Sequence, residues 1–460
     1  KKLQMEKGII ICIIIYTLFI TSTIGIIKCK KQGEHYCKSD LTKLIEDTIT
    51  SGPKTRWGIH AVGLKNNQWE VLYNKDAEYY FTPASNNKLL TCSAAYLHFG
   101  VDYTFKTKLL KQTHNHCLKV TGQFDLTSDQ LVTMIQKNGV TNLILDTQSF
   151  FGKNTPAFIG GWEWGDLPYY YSALPTSSHM DNNLISMIVS YDQGNISVRF
   201  PYAKVGIPVD TTQVTYDETR EQGNIQTSFQ LGKKELILSG IVGRKPIETY
   251  ATIIQPDEHM KNTLLEYVNE VKFGVCEENA KVVDTLASDP LVNLMNHTLL
   301  VSDNTWTELF LRHLGAEQLQ NENAHTTGLS IIKTILGQQG VPTDLFYQAD
   351  GSGLARQNRI SPASLTALLK IMPDAFSTIL PQSGKSGTLA HRFTKYPQGI
   401  IKAKTGTLTG VVTLSGYALN KDYDKVVFSI MSNNAVASSA TIREVMDKMA
   451  IIFPYLDPSC

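Results

Sequence analysis

Residues 81–92 read Phe81-Thr-Pro-Ala-Ser85-Asn-Asn-Lys88-Leu-Leu-Thr-Cys92, and this stretch decides the fold. The run 85–98 is rich in leucine, alanine and lysine, which predicts a buried helix with Pro83 near its first turn. Residues three apart on a helix lie on one face, so the Ser85 hydroxyl and the Lys88 amine point the same way. A serine needs a base to become a nucleophile, and an unprotonated lysine can serve as that base. The stretch therefore predicts a nucleophile and its base at a helix N-terminus, whose backbone N–H groups can stabilise an oxyanion.

The S-x-x-K pattern is weak on its own, because Ser51-Gly-Pro-Lys54 also matches it. Gly52 and Pro53 make that second copy a turn. We therefore interpret it as a chance match.

A second motif, Lys404-Thr405-Gly406, ends a predicted strand at 400–404 and continues through Thr407. Glycine allows a substrate backbone to come close, while the lysine and the hydroxyls can bind a carboxylate. Lys385-Ser-Gly387 is a competing copy in a loop rich in glycine and serine. The copy at the strand edge is the better candidate for substrate binding.

A third motif, Ser302-Asp-Asn304, precedes a predicted helix and offers a hydroxyl and an amide. These groups can pass a proton and orient a substrate, although a plain helix cap is the ordinary interpretation of such a tripeptide. Ser432-Asn-Asn434 is a rival copy. The order of the motifs favours Ser302, because S-x-x-K, S-x-N and K-T-G in this order form the signature set of penicillin-binding proteins and active-serine β-lactamases.

Further stretches resemble one branch of these proteins, the D-alanyl-D-alanine carboxypeptidase/endopeptidase family S13, the class C low-molecular-mass penicillin-binding proteins. They are Asp350-Gly-Ser-Gly-Leu354, Gly387-Thr-Leu389, Lys402-Ala-Lys404-Thr-Gly-Thr-Leu-Thr-Gly410 and Ser415-Gly-Tyr417. The resemblance runs from about residue 41 to residue 453. It implies a transpeptidase (β-lactamase-like) domain of the α+β class, with an antiparallel sheet and helices, interrupted by a long, mainly-β insert.

The resemblance also implies roles for individual residues. Ser85 would be the acylated nucleophile, Lys88 its base and Ser302 the proton shuttle to the leaving amine. Asn304 would hold the substrate amide, and Lys404 would complete the electrostatic environment. Thr405, Gly406 and Thr407 would bind the substrate, with the backbone N–H groups of Ser85 and Thr407 as the oxyanion hole.

The implied reaction is cleavage of a peptide that ends in D-Ala-D-Ala, or of a peptidoglycan stem-peptide cross-link, through an acyl-enzyme. β-Lactams would be covalent inhibitors, and no metal or cofactor is required. The alternatives are a serine β-lactamase or related hydrolase on the same fold, and a non-catalytic peptide-binding relative. A metal enzyme is less favoured, because His114-Asn-His116-Cys117 is the only dense ligand-like cluster and is typical of a surface turn.

Changes in the pattern along the chain predict four segments: a signal peptide or membrane anchor at 1–31, a first part of the transpeptidase-like domain at 40–115, inserted accessory domains at 116–284 and the second part of the domain at 285–460. The insert contains an aromatic loop at 158–171. Such a loop can form a sugar-binding platform, but packing on its own scaffold is the ordinary interpretation.

The composition limits the partners and the location. The 460 residues are 42% hydrophobic and 18% charged, with 43 basic against 42 acidic side chains, so a folded core is expected and no net field favours nucleic acid. Lysines precede an uncharged, isoleucine-rich run at 8–27, which predicts export by a cleaved signal, or a retained membrane anchor. The protein is therefore expected to be extracytoplasmic. Seven scattered cysteines leave Cys117–Cys276 and Cys37–Cys460 as open pairings.

Overall fold

A computed structural model describes residues 35–201, 208–229 and 235–460, and Tyr36–Cys460 forms one compact unit. The predicted signal or anchor at 1–31, with its apolar run 8–27, lies outside the described residues. Within the described part of the chain, no helix combines the length and the apolar composition needed to cross a membrane.

The helices and strands follow one another along the whole described chain. The helices are α1 (Leu41–Ser51), α2 (Asn87–Phe99), α3 (Ser128–Lys137), α4 (Pro256–Leu265), α5 (Leu291–Val301), α6 (Asn304–Ala316), α7 (Ala324–Gln338), α8 (Pro362–Ile371) and α9 (Ser439–Ala450). The strands are β1 (Tyr36–Cys37), β2 (Arg56–Lys65), β3 (Gln68–Lys75), β4 (Lys106–Lys111), β5 (His116–Lys119), β6 (Asn142–Asp146), β7 (Leu184–Asp192), β8 (Asn195–Arg199), β9 (Val209–Tyr216), β10 (Asn224–Phe229), β11 (Leu236–Val242), β12 (Ile247–Thr252), β13 (Glu270–Phe273), β14 (Lys281–Ala287), β15 (Phe346–Tyr347), β16 (Arg359–Ile360), β17 (Ile401–Leu408), β18 (Val411–Ala418), β19 (Lys425–Asn433) and β20 (Leu456–Asp457).

The central sheet is antiparallel and has the strand order β17-β18-β19-β2-β3. Strands β2 and β3 come from before the insert and the other three from after it, so the two parts of the chain complete one sheet. Alternating residues at 57–64 and 69–73, on either side of Asn66-Asn67, predict a hairpin, and β2 and β3 form it. Its turn residues Asn66 and Asn67 have φ angles of 51° and 61°, the left-handed pair that matches the twist of a two-residue hairpin.

Helices cover both faces of the central sheet, because alternate residues of each strand point to opposite sides. On β19, Phe428 and Ile430 belong to the core under α1 and α9, while Val427 and Met431 belong to the core under α2, α5, α6, α7 and α8. The molecule thus has the predicted α+β architecture, with an antiparallel sheet between helical layers.

The insert is mainly β, as predicted. It contains a five-stranded sheet, β13-β6-β5-β4-β14, with α3 and α4, and two three-stranded sheets, β10-β11-β9 and β12-β7-β8, that share one apolar core. Strand β4 begins before residue 116 and β14 ends after residue 284, so the five-stranded sheet extends beyond the predicted insert at both ends. The division into domains stays a prediction.

The structure contains both of the disulfides that the sequence left open. Cys37 pairs with Cys460, beside the parallel pairing of β1 with β20 that joins the two ends of the described chain. Cys117 pairs with Cys276 inside the insert. Among the described cysteines, Cys92 is free and buried.

The helical spacing of apolar residues such as Ile442, Val445 and Met449 predicts a helix over 435–453, and the structure has a shorter helix there, α9. Helix α9 begins at Ser439, because the Ser438 hydroxyl accepts the Thr441 N–H at 3.2 Å and caps the first turn.

Candidate active site

The predicted nucleophile and base lie together at the start of α2. Ser85 lies in a 3₁₀ turn, Ala84–Asn86, that leads into the helix, and Lys88 lies in its first turn. The Lys88 Nζ is 3.1 Å from the Ser85 Oγ. The helical spacing therefore produces the contact that a lysine base needs.

The Lys88 amine has two further neighbours, both carbonyl oxygens. Its Nζ donates to the Asn304 Oδ1 at 2.5 Å and to the Ser352 backbone oxygen at 2.8 Å. Carbonyl oxygens only accept, whereas a hydroxyl can also donate. In its neutral form the amine has two N–H groups and one lone pair, so donation to both carbonyls leaves the lone pair for the Ser85 hydroxyl.

The surroundings of Lys88 favour this neutral form. Burial lowers the pKa of Lys88 to about 8, and the carboxylates of Asp350, Asp303 and Glu308 partly oppose the shift. About a tenth of the amine is therefore unprotonated at pH 7 and about half at pH 8.

The second candidate pair, Ser302 and Lys404, also lies in contact. Ser302 has a left-handed backbone, with a φ of 64°, at the junction between α5 and α6. The Lys404 Nζ donates to the Ser302 Oγ at 2.8 Å and to the Thr405 backbone oxygen at 2.9 Å. Burial and the nearby Lys88 lower the pKa of Lys404 well below its usual value. A half-buried hydroxyl is thus again paired with a fully buried amine.

Strand β17 passes close to the start of α2 because residue 406 is glycine. A Cβ at Gly406 would lie 2.2 Å from the Thr413 Oγ1, 2.9 Å from the Pro83 oxygen and 2.9 Å from the Ser85 nitrogen. Atoms do not approach that closely without a shift of the backbone. Glycine at this position is therefore what lets the strand edge lie against the Ser85 amide.

A cleft of about 580 Å³ opens onto these residues. Ser85, Ser302, Asn304 and Thr407 line it, and an ion pair flanks them in which the Arg356 Nε donates to the Glu163 Oε1 at 2.9 Å. The Thr405 hydroxyl donates to the Thr388 hydroxyl at 2.7 Å beside the same strand. The structure thus brings the candidate residues of all three motifs together at one site.

The aromatic loop of the insert forms part of the cleft wall. Trp162 is buried, and its Nε1 donates to the Asp350 Oδ2 at 3.0 Å, while the Tyr171 backbone oxygen accepts from the Asn304 Nδ2 at 2.8 Å. Trp164 and Tyr170 are more than half exposed. The loop therefore packs on its scaffold through Trp162 and Tyr171 and leaves other rings in solvent.

Sequence reasoning missed the groups that support Lys88. Ser352 acts through its backbone oxygen, and Glu308 accepts the backbone N–H groups that precede that oxygen. A backbone acceptor has no residue-type signal. Glu308 lies one turn after Asn304 on the same helix, so its spacing from the S-x-N motif could have identified it from the sequence.

The competing motifs have structural contacts instead. The Ser51 hydroxyl donates to the Thr48 oxygen at the end of α1, and the Ser432 hydroxyl lies 2.8 Å from the Thr55 hydroxyl within the sheet. In the His114–Cys117 cluster, the cysteine belongs to a disulfide. Across the described residues, no group of three or more histidine, cysteine or carboxylate side chains is arranged to hold a metal ion.

Comparisons with known proteins place this geometry in context. The model of the D-Ala-D-Ala carboxypeptidase 3 (S13) family matches residues 40–453. The chain is 27% identical over 457 residues to the penicillin-sensitive carboxypeptidase A of Dictyostelium discoideum, with 86% of this chain and 87% of that protein covered. It is 24% identical over 399 residues to the D-alanyl-D-alanine carboxypeptidase DacB of Haemophilus influenzae, with 79% and 82% covered.

Solved structures agree on the fold. Penicillin binding protein 4 (dacB) from Haemophilus influenzae matches with a TM-score of 0.75 at 22% identity, over 88% of this chain and 98% of that chain. The same protein complexed with a novel β-lactam matches with a TM-score of 0.69 at 22% identity, over 90% and 98%. The central sheet, its helical layers and the insert thus recur together in a solved protein.

Proposed function

The chain belongs to the D-Ala-D-Ala carboxypeptidase 3 (S13) family and is a penicillin-binding serine carboxypeptidase, and we propose that it works by acyl transfer through Ser85. One observation carries this proposal: the Lys88 Nζ lies 3.1 Å from the Ser85 Oγ, in a buried setting that lowers its pKa to about 8. A base with a pKa near the working pH combines a useful unprotonated fraction with enough proton affinity.

In the proposed first step, the Lys88 lone pair accepts the hydroxyl proton while the Ser85 Oγ attacks the carbonyl carbon of the penultimate D-alanine. The carbonyl oxygen becomes an oxyanion, which the backbone N–H groups of Ser85 and Thr407 would stabilise. The close approach of Gly406 to the Ser85 nitrogen supports this placement.

The bond to the leaving amine then breaks, and its nitrogen must gain a proton. Ser302 lies in the cleft with its hydroxyl 2.8 Å from the Lys404 Nζ, so it can give its proton to that nitrogen and regain one through the lysines. Water then hydrolyses the Ser85 ester, which releases the shortened peptide as a carboxylate and restores the hydroxyl.

The proposed substrates are peptides that end in D-Ala-D-Ala and the cross-linked stem peptides of peptidoglycan. Thr405, Gly406 and Thr407 lie at the strand edge where a substrate backbone can pair, and Asn304 faces the same cleft. A β-lactam would acylate Ser85 in the same way, and its opened ring would remain attached.

Labelling with a fluorescent penicillin, followed by mass spectrometry of the modified peptide, tests the proposal. We expect one adduct on Ser85, release of D-alanine from a D-Ala-D-Ala peptide, and loss of both in Ser85→Ala. Ser51→Ala is the matched control, because Ser51 belongs to the competing S-x-x-K copy. An adduct on another residue would overturn the assignment, and rapid turnover of the penicillin would favour the β-lactamase alternative.

We further propose that residues 8–27 direct export of the protein and that the disulfides form in an oxidising, extracytoplasmic compartment. Cleavage at or before residue 31 leaves Cys37 in the mature chain, where it pairs with Cys460. A retained run would instead anchor the protein in the membrane. N-terminal sequencing of the exported protein distinguishes the two outcomes.

A further inference from the structure

Glu308 carries a fully buried carboxylate that the proposed reaction does not use. It lies on α6, one turn after Asn304, and its exposed fraction is 0%. The Glu308 Oε2 accepts the Gly351 N–H at 3.1 Å, and the Oε1 accepts the Ser352 N–H at 2.6 Å. A buried charge is costly, so both of its oxygens are committed to one short loop.

That loop contacts the base directly. Ser352 is held from two sides, because its N–H donates to Glu308 while its carbonyl accepts from the Lys88 Nζ at 2.8 Å. The Asp350 carboxylate fixes the rest of the loop by accepting the Gly353 N–H at 2.8 Å and the Ala355 N–H at 2.6 Å. The Glu308 contacts therefore determine where the Ser352 carbonyl lies.

The Ser352 carbonyl determines in turn where the Lys88 lone pair points. The amine directs its lone pair at Ser85 only if both of its N–H groups have acceptors, and those acceptors are Asn304 and Ser352. Helix α6 provides Asn304 itself and, one turn later, the carboxylate that holds Ser352. One helix thus sets both acceptors.

We propose that Glu308 is a positioning residue for the Lys88 base, acting through the Ser352 carbonyl. This inference rests on the proposed function, because it takes Lys88 as the base that deprotonates Ser85. A purely structural role would only stabilise the loop 350–353 and would leave the chemistry of folded protein unchanged.

The charged groups around the pair come from several elements. Asp350 from the loop, Arg312 from α6 and Lys88 from α2 face Glu308, and burial together with Asp350 raises the pKa of Glu308 to about 7. Asp303, Cys92 and Lys404 also act on the Lys88 amine. The negative charge of Glu308 raises the pKa of Lys88, so removing that charge lowers it.

Glu308→Gln tests the proposal, because it keeps the size of the side chain but replaces one carboxylate oxygen by an NH2 group. That group is a donor, so it cannot accept the backbone N–H of Gly351 or Ser352 that it faces. We expect the rate constant for β-lactam acylation to fall about ten- to a hundredfold, the effect of one or two charge-assisted hydrogen bonds on a barrier. The pH at which the acylation rate constant rises, the acidic limb of its pH profile, should also move to lower pH, because the pKa of Lys88 falls. Glu308→Asp retains the charge but is too short to reach both N–H groups, so its rate should fall while the limb stays.

His313→Gln is the matched control, since His313 is buried on the same helix but contacts the Gly122 oxygen, at 3.1 Å, and core aromatic rings. It should lose stability without a change in the pH limb. A folded Glu308→Gln variant with the wild-type acylation rate and the wild-type acidic limb would overturn the proposal. A His313→Gln variant that shows the same fall in rate and the same shift of the limb would also overturn it. If Glu308→Gln does not fold, a wild-type rate in folded Glu308→Asp overturns it. Wild-type protein that is not labelled on Ser85 instead contradicts the proposed function.

Discussion

The titration of Lys88 should control how fast the enzyme is acylated. Burial lowers the pKa of this amine from 10.5 to about 8, so at pH 7 about a tenth of it is neutral and at pH 9 about nine-tenths. Only the neutral form can accept the Ser85 proton. The acylation rate constant should therefore rise about tenfold between pH 7 and pH 9 and level off above that.

Single-turnover acylation by a fluorescent penicillin, followed by stopped flow across this pH range, measures the constant directly. Single-turnover conditions separate the first chemical step from release of the acyl group. Circular dichroism at each pH provides the control that the protein stays folded. Taken from the second-order constant at penicillin concentrations below saturation, the midpoint of the rise gives the pKa of the base in the free enzyme.

A variant assigns the midpoint to Lys88 and not to another group. Asn304→Asp places a carboxylate where an amide oxygen now lies 2.5 Å from the Lys88 Nζ, and an opposite charge at that distance raises an amine pKa by about one unit or more. The rise should shift to higher pH by that amount. A rate that is flat from pH 7 to pH 9 in the wild type, or a midpoint that stays fixed in the variant, would refute the assignment of Lys88 as the base.

Two further changes test the framework around the site. Gly406→Ala introduces a Cβ 2.9 Å from the Ser85 nitrogen. The acylation rate constant should therefore fall about a hundredfold, and the free energy of unfolding should fall by about 1–3 kcal/mol. Gly160→Ala is the control, because its Cβ would lie in open space and should change neither quantity. Replacing Cys37 and Cys460 together by serine opens a loop of 423 residues and should lower the free energy of unfolding by up to about 6 kcal/mol, as measured by urea titration. A loss below about 1 kcal/mol would contradict the loop-entropy argument.

Strong apolar patterns made much of the fold predictable from the sequence. The hairpin β2–β3 lies where alternation predicts it, and helix α8 coincides with the helix predicted at 362–371. Strands β18 and β19 lie close to the strands predicted at 411–419 and 426–431. Strands β9 and β10 were not predicted, since they are rich in threonine, glutamine and serine and most of their residues are exposed or half-buried. A strand in a small sheet with one face in solvent carries little apolar signal.

The site was predictable where chemistry is carried by side chains in short motifs. Ser85, Lys88, Ser302, Asn304 and Lys404 each lie in such a motif, and the structure brings them together. The support from backbone carbonyls of residues 171 and 352 was not predictable, because any residue type supplies that oxygen. Its position depends on tertiary contacts that join the insert, α6 and α2.

The two buried lysines have different surroundings, and this difference orders their protonation. Three carboxylates, Asp350, Asp303 and Glu308, favour the charged form of Lys88, whereas Lys404 faces the positive charge of Lys88 itself. The carboxylates thus favour a proton on Lys88, whereas burial and the charge of Lys88 both favour the neutral form of Lys404. In the proposed reaction the Ser85 proton goes to Lys88, next to the carboxylates. Ser302 gives its own proton to the leaving nitrogen and then regains the proton that Lys88 took, by way of Lys404. The lysine pair thus links the proton that leaves the nucleophile to the proton that the leaving amine must gain.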